Sequence, residues 1–176
     1  MKILAATPRP IVGRTVDIKT ATLKIKDGGA EEITVKIGEG NFTYTENKNR
    51  EYILNRGNLD DVRDGDDVPC ELTFDATWEY ITGKASTGGT PSVEDAMKQA
   101  NGAVDWVTSD ADTCNPYAVD VELVIDPTPA GCGDIETYLF SDFRYEQVNH
   151  DLRGGTLSFS GKCNVTEPTV SRSANS

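Results

Sequence analysis

The sequence predicts a mainly β protein with a single α-helix. Apolar and polar residues alternate strictly over residues 68–81, which is the period of a strand with one buried and one wet face. Similar alternation runs through residues 117–125, 135–146 and 157–165. Signals for the start and the stop of a helix flank one stretch only, from about Pro91 to Ala100. Several strands and one helix with a narrow apolar stripe predict a sheet on which that helix packs.

The stretch of residues 68–81 is the longest of these strands. Its apolar face consists of Val68, Cys70, Leu72, Phe74, Ala76, Trp78 and Tyr80. Its wet face carries threonines and the acids Glu71, Asp75 and Glu79. A helix would spread the apolar residues around its whole circumference, so the pattern favours an antiparallel-type strand.

Two strand regions are predicted before residue 46. Residues 15–26 have the pattern of a strand pair or a kinked strand. Over residues 31–46 the apolar positions change from odd to even across Gly38-Glu39-Gly40. One inserted residue is what a β-bulge contributes, so one long bent strand is predicted there. Residues 1–13 are predicted to form an irregular lead-in.

Residues 46–67 break the alternation and are interpreted as a long connection between two strands. The stretch is rich in charge, and its apolar members are Tyr52, Ile53, Leu54, Leu59 and Val62. Connections beyond about 12–15 residues are uncommon in compact domains and usually serve a function.

The remaining elements follow from local signals. Thr90 or Ser92 can cap the helix, and Asn101-Gly102 is predicted to stop it. The strand of residues 135–146 alternates in both registers, so Tyr138 and Phe140 are placed on one face, and Phe143 and Tyr145 on the other. The polar segment 166–176 predicts a loose tail.

Length and charge limit the class of protein. A chain of 176 residues suits one domain, residues 1–176. A net charge of −12 argues against a general affinity for nucleic-acid backbones. The sequence has no apolar run of the length that crosses a membrane, and its first apolar run is too short for a signal peptide. We therefore expect a cytoplasmic product with reduced cysteines.

The four cysteines, Cys70, Cys114, Cys132 and Cys163, include no C-x-x-C pair. Cys70 and Cys163 fall on apolar strand faces, where a cysteine is usually a small buried hydrophobe. If residues 117–125 and 135–146 form a hairpin, Cys114 and Cys132 lie roughly 30 Å apart, too far for a disulfide.

No stretch carries a catalytic or metal-binding signature. A lone histidine, His150, has no nucleophile elbow beside it, and Gly83-Lys84 lacks the hydroxyl residue of a Walker motif. With Gly65 as the central glycine of an EF-hand loop, Asp60, Asp64 and Glu71 fall at ligand positions, but Val62 occupies the third position and Glu71 lies in a strand. We expect no enzymatic activity, no metal and no other cofactor.

Four blocks of sequence resemble the tail tube (major tail) proteins of long-tailed bacteriophages. They are G-E-G-N-F-T-Y-T-E-N-K-N-R-E-Y-I-L-N-R-G-N-L-D-D-V-R-D-G-D-D-V-P, L-T-F-D-A-T-W-E-Y-I, P-S-V-E-D-A-M-K and D-F-R-Y-E-Q-V-N-H-D-L-R-G-G-T-L-S-F-S-G-K-C-N. The likeness covers most of residues 33–165, with the blocks in the expected order. It rests on stretches of sequence rather than on a catalytic signature.

The resemblance implies a β-sandwich or barrel-like fold with one flanking helix. It also implies a structural virion protein whose sixfold rings stack into a hollow tube that conducts the genome. The partners implied are other copies of the chain and further tail proteins, namely the tape measure, terminator and distal tail proteins. DNA would pass without specific binding, no membrane would be involved, and assembly would take place in the host cytoplasm.

Two sets of residues are candidates for this role. The charged members of wet strand faces are proposed to line an acidic lumen: Glu71, Asp75, Glu79, Asp120 and Glu122. Residues 46–67 are proposed to be an arm that joins subunits, through apolar burial and arginine pairing: Arg50, Tyr52, Ile53, Leu54, Arg56, Leu59 and Arg63.

Other functions remain open at this point. The chain resembles one tail component, but another, such as a terminator or the tube of a contractile system, has the same general properties. A monomeric β-sandwich that binds carbohydrate or protein is the alternative from a different class, and exposed aromatics in residues 135–146 would suit it. A hydrolase that uses paired carboxylates ranks last.

Overall fold

The computed structural model describes residues 21–38, 40–79, 89–126 and 134–174. Within these ranges the chain forms ten strands, one short α-helix and one 3-10 helix, Asn101–Ala103. The mainly β class with one helix is therefore confirmed. The strands are β1 (Ala21–Lys26), β2 (Glu32–Val35), β3 (Phe42–Thr45), β4 (Lys48–Asn55), β5 (Asn58–Asp67), β6 (Glu71–Thr77), β7 (Val119–Ile125), β8 (Ile135–Asp151), β9 (Thr156–Lys162) and β10 (Thr169–Ser173).

Eight strands form one antiparallel sheet in the order β2-β1-β7-β8-β9-β6-β3, with β10 paired to β8, whereas β4 and β5 form a separate two-stranded sheet. β8 is 17 residues long. Its first half pairs with β7 and β10, and its second half pairs with β9. The end strands β2 and β3 are not paired with each other, so the described part of the sheet does not close into a barrel.

Both halves of the sheet contribute to one core. The ring of Phe74 on β6 lies 6.0 Å from that of Phe143 on β8 and 5.4 Å from that of Phe159 on β9. Phe42 on β3 packs on Phe140 of β8, with ring centroids 5.6 Å apart. Burying one such side chain contributes about 1.5–3 kcal/mol, so this aromatic cluster holds the two halves of the sheet together.

The alternating stretch of residues 68–81 contains β6. Cys70, Leu72, Phe74 and Ala76 are buried, as the alternation predicts. The strand itself is shorter than predicted, since it runs from Glu71 to Thr77, and Trp78 beyond its end is 38% exposed. Tyr80 and Ile81 lie outside the described residues.

The prediction of one bent strand over residues 31–46 is wrong. β2 pairs with β1, whereas β3 pairs with β6 in the other half of the sheet. Between them Gly38 adopts a φ of +62°, and the backbone N–H of Gly40 donates to the carbonyl of Ile37 at 3.0 Å. The change of parity therefore marks a turn between two strands with different partners, not a bulge.

A bulge does occur in β8, at Asp142. The pairing shifts between Val119↔Phe143 and Val121↔Phe140, and Asp142 has a φ of +55°. Phe140 and Phe143 consequently both face the core and are 0% and 1% exposed. The expectation that they lie on opposite faces is wrong, because the extra residue restores the inward direction.

The helix, α1 (Val93–Lys98), is shorter than the predicted span from Pro91 to Ala100. The predicted cap at Ser92 is confirmed as a capping box. The backbone N–H of Asp95 donates to Ser92 Oγ at 3.2 Å, and that of Ser92 donates to Asp95 Oδ2 at 3.1 Å. Gln99, with a φ of 51°, ends the helix before the predicted stop at Asn101. Tyr117 Oη ties α1 to the sheet by donating to the Ala96 carbonyl at 3.0 Å.

Two further predictions concern the C-terminal segment and the cysteines. The prediction of a loose tail over residues 166–176 is wrong, because Thr169–Ser173 forms β10 and pairs with β8. The burial of Cys70 and Cys163 is confirmed, and both are free thiols, as is the exposed Cys114. Cys132 and the lead-in 1–13 lie outside the described residues.

Truncation of a shared core aromatic should be costly. We expect Phe159→Ala to lower the free energy of unfolding by about 3–5 kcal/mol, because Phe159 is 0% exposed and a cavity would remain. Leu152→Ala is the control, since Leu152 is 72% exposed, and it should change stability by less than about 0.5 kcal/mol. Urea unfolding of both variants measures the difference, and equal effects would contradict the placement of this core.

Candidate functional site

The stretch of residues 46–67 is a β-hairpin rather than an irregular loop. Asn55 pairs with Asn58, so the turn has two residues, Arg56 and Gly57, with φ values of 52° and 84°. Positive φ at both turn positions is the signature of a type I′ hairpin turn. Arginine rarely takes that conformation, so the local sequence gave only a weak turn signal.

The hairpin has one continuous apolar face. Tyr52 pairs with Val62, and Leu54 pairs with Leu59, so the four side chains lie on the same side. They are 63%, 41%, 62% and 62% exposed, in that order. Ile53 pairs with Asp61 on the opposite side, so it does not join the other apolar residues of the arm. We call Tyr52, Leu54, Leu59 and Val62 the hairpin face.

Two of the candidate arginines pair within the hairpin. Arg50 Nη1 lies 3.2 Å from Asp64 Oδ1, and Arg63 Nε lies 2.8 Å from Glu51 Oε2. Exposed pairs of this kind contribute little to stability, but they engage charges that were expected to reach a neighbouring subunit. Arg56 lies in the turn at the tip.

The hairpin is joined to the body at its base. β4 and β5 pair only with each other among the described strands. Lys48 Nζ lies 3.4 Å from Glu167 Oε2, and Asn47, Val68 and Thr166 line the crevice between the hairpin and the C-terminal segment. A two-stranded hairpin alone is marginally stable in water, and this one leaves its four apolar side chains largely exposed.

Glu71 and Asp75 lie on the outer side of β6, Glu79 follows two residues after its end, and all three contact other groups of the chain. Glu71 Oε1 is 3.9 Å from Lys162 Nζ and is exposed. Asp75 Oδ2 accepts a hydrogen bond from the Asn41 backbone N–H at 3.0 Å, which fixes the start of β3. Glu79 forms an ion pair with Lys36.

The acids of β7 lie on a different part of the sheet. β8 and β9 separate β7 from β6, so Asp120 and Glu122 do not continue the acidic row of β6 within one chain. Glu122 Oε2 pairs with Lys26 Nζ at 2.6 Å. Asp120 Oδ1 accepts from the Asp142 backbone N–H at 3.0 Å and so stabilises the bulge. Burial raises the pKa of Asp120 above its ordinary value.

The other residues considered for metal binding or catalysis have ordinary structural positions. Asp60 and Asp64 lie on the exposed strand β5, and no group of three or more metal-binding side chains occurs within the described ranges. His150 Nε2 lies 3.2 Å from Glu94 Oε1, which also accepts from Lys98 Nζ at 2.6 Å. No helix in the described part of the chain has the length and apolar character needed to span a membrane.

No protein-family model matches the chain, and no curated protein matches it. The resemblance to tail tube proteins therefore rests on the sequence blocks quoted above. The feature that sequence reasoning missed is the hairpin face. Its signal was the alternation of Tyr52 with Leu54 on one strand, and a second apolar pair, Leu59 and Val62, after an Arg-Gly turn.

Two aspartates should change stability with pH in opposite directions. The pKa of Asp120 is raised, so its native state keeps a proton to higher pH than the unfolded chain, and stability falls as pH rises above about 4. The pKa of Asp110 is lowered by the Asp112 backbone N–H and by Arg144, so its contribution is lost as pH falls below about 4.

We expect Asp120→Asn to gain stability relative to wild type between pH 3.5 and pH 7, because asparagine keeps the acceptor oxygen and cannot ionise. Asp110→Asn should lose stability over the same interval. Urea unfolding midpoints at the two pH values measure both effects. A change of the same sign in the two variants would contradict the assignment.

Proposed function

We propose that the protein is a structural virion protein that assembles into stacked, sixfold rings and forms the hollow tail tube of a long-tailed bacteriophage. The observation that carries the proposal is the hairpin face, four apolar side chains exposed on a hairpin that the main sheet does not cover. The sequence resemblance supplies the class of assembly. A sandwich-like tail-tube fold agrees with a core shared by two halves of one open sheet.

The geometry of the hairpin favours an assembly of many copies. In the proposed assembly the hairpin face of one copy packs on the body of the next copy, so the contact joins two unlike surfaces. Contacts of that kind produce closed rings or open filaments rather than simple dimers. Each side chain of the hairpin face contributes roughly 1.5–3 kcal/mol when it is fully covered, which offsets part of the freedom lost on association.

The remaining features of the proposal follow from charge. In a tube, the acids of the outer faces would be repeated around the ring, and an acidic wall would not retain DNA phosphates. The candidates for that wall remain Glu71, Asp75, Glu79, Asp120 and Glu122.

The partners proposed from the sequence resemblance are other copies, the tape measure, the terminator and the distal tail protein. The place of action is the virion tail after assembly in the host cytoplasm, and no enzymatic step is required.

The alternative, a monomeric binding module, loses its main support. It relied on exposed aromatics in residues 135–146, but Phe140 and Phe143 are core residues. Tyr145 remains 36% exposed, and Tyr138 is partly covered by Tyr44, with ring centroids 6.3 Å apart. These two tyrosines do not form a continuous aromatic platform, because the segment of β8 between them contains the buried Phe140 and Phe143.

Polar substitution of the hairpin face should abolish tubes. We expect Tyr52→Ser with Leu54→Ser to leave the body folded and to remove stacked tubes, because the apolar contact is lost. The matched control is Glu51→Ser with Ile53→Ser, on the opposite side of the same strand. Circular dichroism should be alike for both proteins, and electron microscopy should show tubes only for the control.

A second variant tests whether the result depends on the particular substitutions in the face variant. Replacement of residues 48–64 by a short Gly-Ser linker should give the same result as the face variant. Tubes of normal length from either the face variant or the linker variant would refute the assembly role of the hairpin.

Charge reversal on β6 should slow DNA release. We expect phages that carry Glu71→Lys with Glu79→Lys to form normal tails and to eject DNA more slowly, because cations on the wall would hold phosphates. Asp75 is left unchanged because it fixes the start of β3. Glu122→Lys on β7 is the comparison, since it breaks one ion pair, where the double variant breaks two, and lies on another part of the sheet. Unchanged ejection by the β6 variant would remove that face from the lumen.

A further inference from the structure

The last strand, β10, is held mainly through its backbone. It pairs with the first half of β8, from Thr169↔Leu139 to Ser173↔Ile135. All five of its side chains are exposed, including Val170 at 40%. Its ion pair with the body joins Arg172 Nε to Glu136 Oε1 at 2.8 Å, and the Arg172 side chain is 61% exposed. β10 therefore contributes backbone pairing to the sheet but almost no buried side-chain area to the core.

The preceding strand, β9, is attached differently. It also pairs with β8, and Leu157, Phe159 and Gly161 on its inner side are buried. After β9, the Val165 carbonyl accepts from the Cys70 backbone N–H at 2.7 Å. Pro168 is the last buried residue before β10. Buried side chains thus anchor the chain to its own body up to Pro168. After Pro168 the chain is held mainly by backbone pairing with the edge of β8.

β10 covers an edge that would otherwise be open. β7 pairs with β8 over the same residues, so β10 occupies the other edge, from Ile135 to Leu139. An uncovered strand edge presents unpaired N–H and C=O groups that accept another strand. The strand that fits this edge in every pair, including the contact between Arg172 and Glu136, is β10 of a second copy.

We propose that β10 is exchanged between copies. In the assembled protein, β10 of one copy pairs with β8 of a neighbour in the register seen here, and the chain leaves its own body at Glu167 and Pro168. The proposal rests on the self-assembly proposed above. Exchange of an identical element replaces each contact within a copy by the same contact between copies. The equilibrium between the two arrangements therefore depends on the local concentration of neighbouring copies, which is high inside an assembly.

Disulfide trapping across the register tests the exchange. Both proteins carry Cys114→Ser and Cys132→Ser, one also carries Tyr138→Cys, and the other also carries Val170→Cys. Tyr138 and Val170 are register partners. The two proteins are mixed, concentrated under assembly conditions and mildly oxidised. We expect disulfide-linked dimers on a non-reducing gel. Thr137→Cys in place of Tyr138→Cys is the control, because residue 137 faces the opposite side of the strand and should give no dimer.

Charge reversal gives an independent measurement if the cysteine variants fold poorly. Glu136→Arg in one protein and Arg172→Glu in the other place like charges opposite each other within each copy. In the mixture, opposite charges meet only across copies. We expect each protein alone to assemble weakly and the mixture to recover normal assembly. A mixture that assembles no better than its components overturns the exchange.

The outcomes separate this proposal from the proposed function. Tubes without cross-copy dimers overturn the exchange and leave the tube standing. Dimers in concentrated protein that forms no rings or tubes support the exchange and refute the tube. Absence of both overturns the exchange and the tube together.

Discussion

The fold depends on β8 serving two halves of one sheet. Its first half pairs with β7 and its second half with β9, and the core lies between the residues that these halves contribute. A straight strand of regular alternation would direct Phe140 and Phe143 to opposite sides. The bulge at Asp142 directs both inward. Positive φ at a residue other than glycine costs about 1–3 kcal/mol, and two hydrogen bonds, from the Asp142 N–H to Asp120 and from Ser109 Oγ to Asp142 Oδ1, help to offset it.

This arrangement explains why some predictions from sequence succeeded and others failed. Alternation on β6 and the capping residues of α1 are local signals, and the structure confirms both. A change of parity is ambiguous, because it has two physical causes. At Gly38-Glu39-Gly40 it accompanies a turn to a new partner strand, and at Asp142 it accompanies a bulge within one strand. Only the long-range pairing distinguishes them, and one sequence does not contain that information in readable form.

The hairpin β4–β5 shows a second limit of the same kind. Its strands carry many charges and its turn is Arg56-Gly57, so neither composition nor turn chemistry indicates a hairpin strongly. Three residues of the hairpin face were candidates from the sequence, but Val62 was not, and the division of the residues between two faces could not be predicted. That division depends on register, since Ile53 shares its side with Asp61, whereas Val62 joins Tyr52. A shift of one residue would reverse the faces.

Charge sets the conditions for any association of this protein with itself. The chain has 29 acidic residues and 17 basic ones. Several lysines and arginines already pair with acids of the same copy, as Lys26 does with Glu122 and Arg144 with Asp110. Two copies that approach each other therefore repel, and most cations within the described ranges are already paired with acids of their own copy. Attraction between copies therefore relies largely on groups without charge. Two surfaces of the described structure offer such groups, namely the apolar hairpin face and the backbone edge that β10 covers.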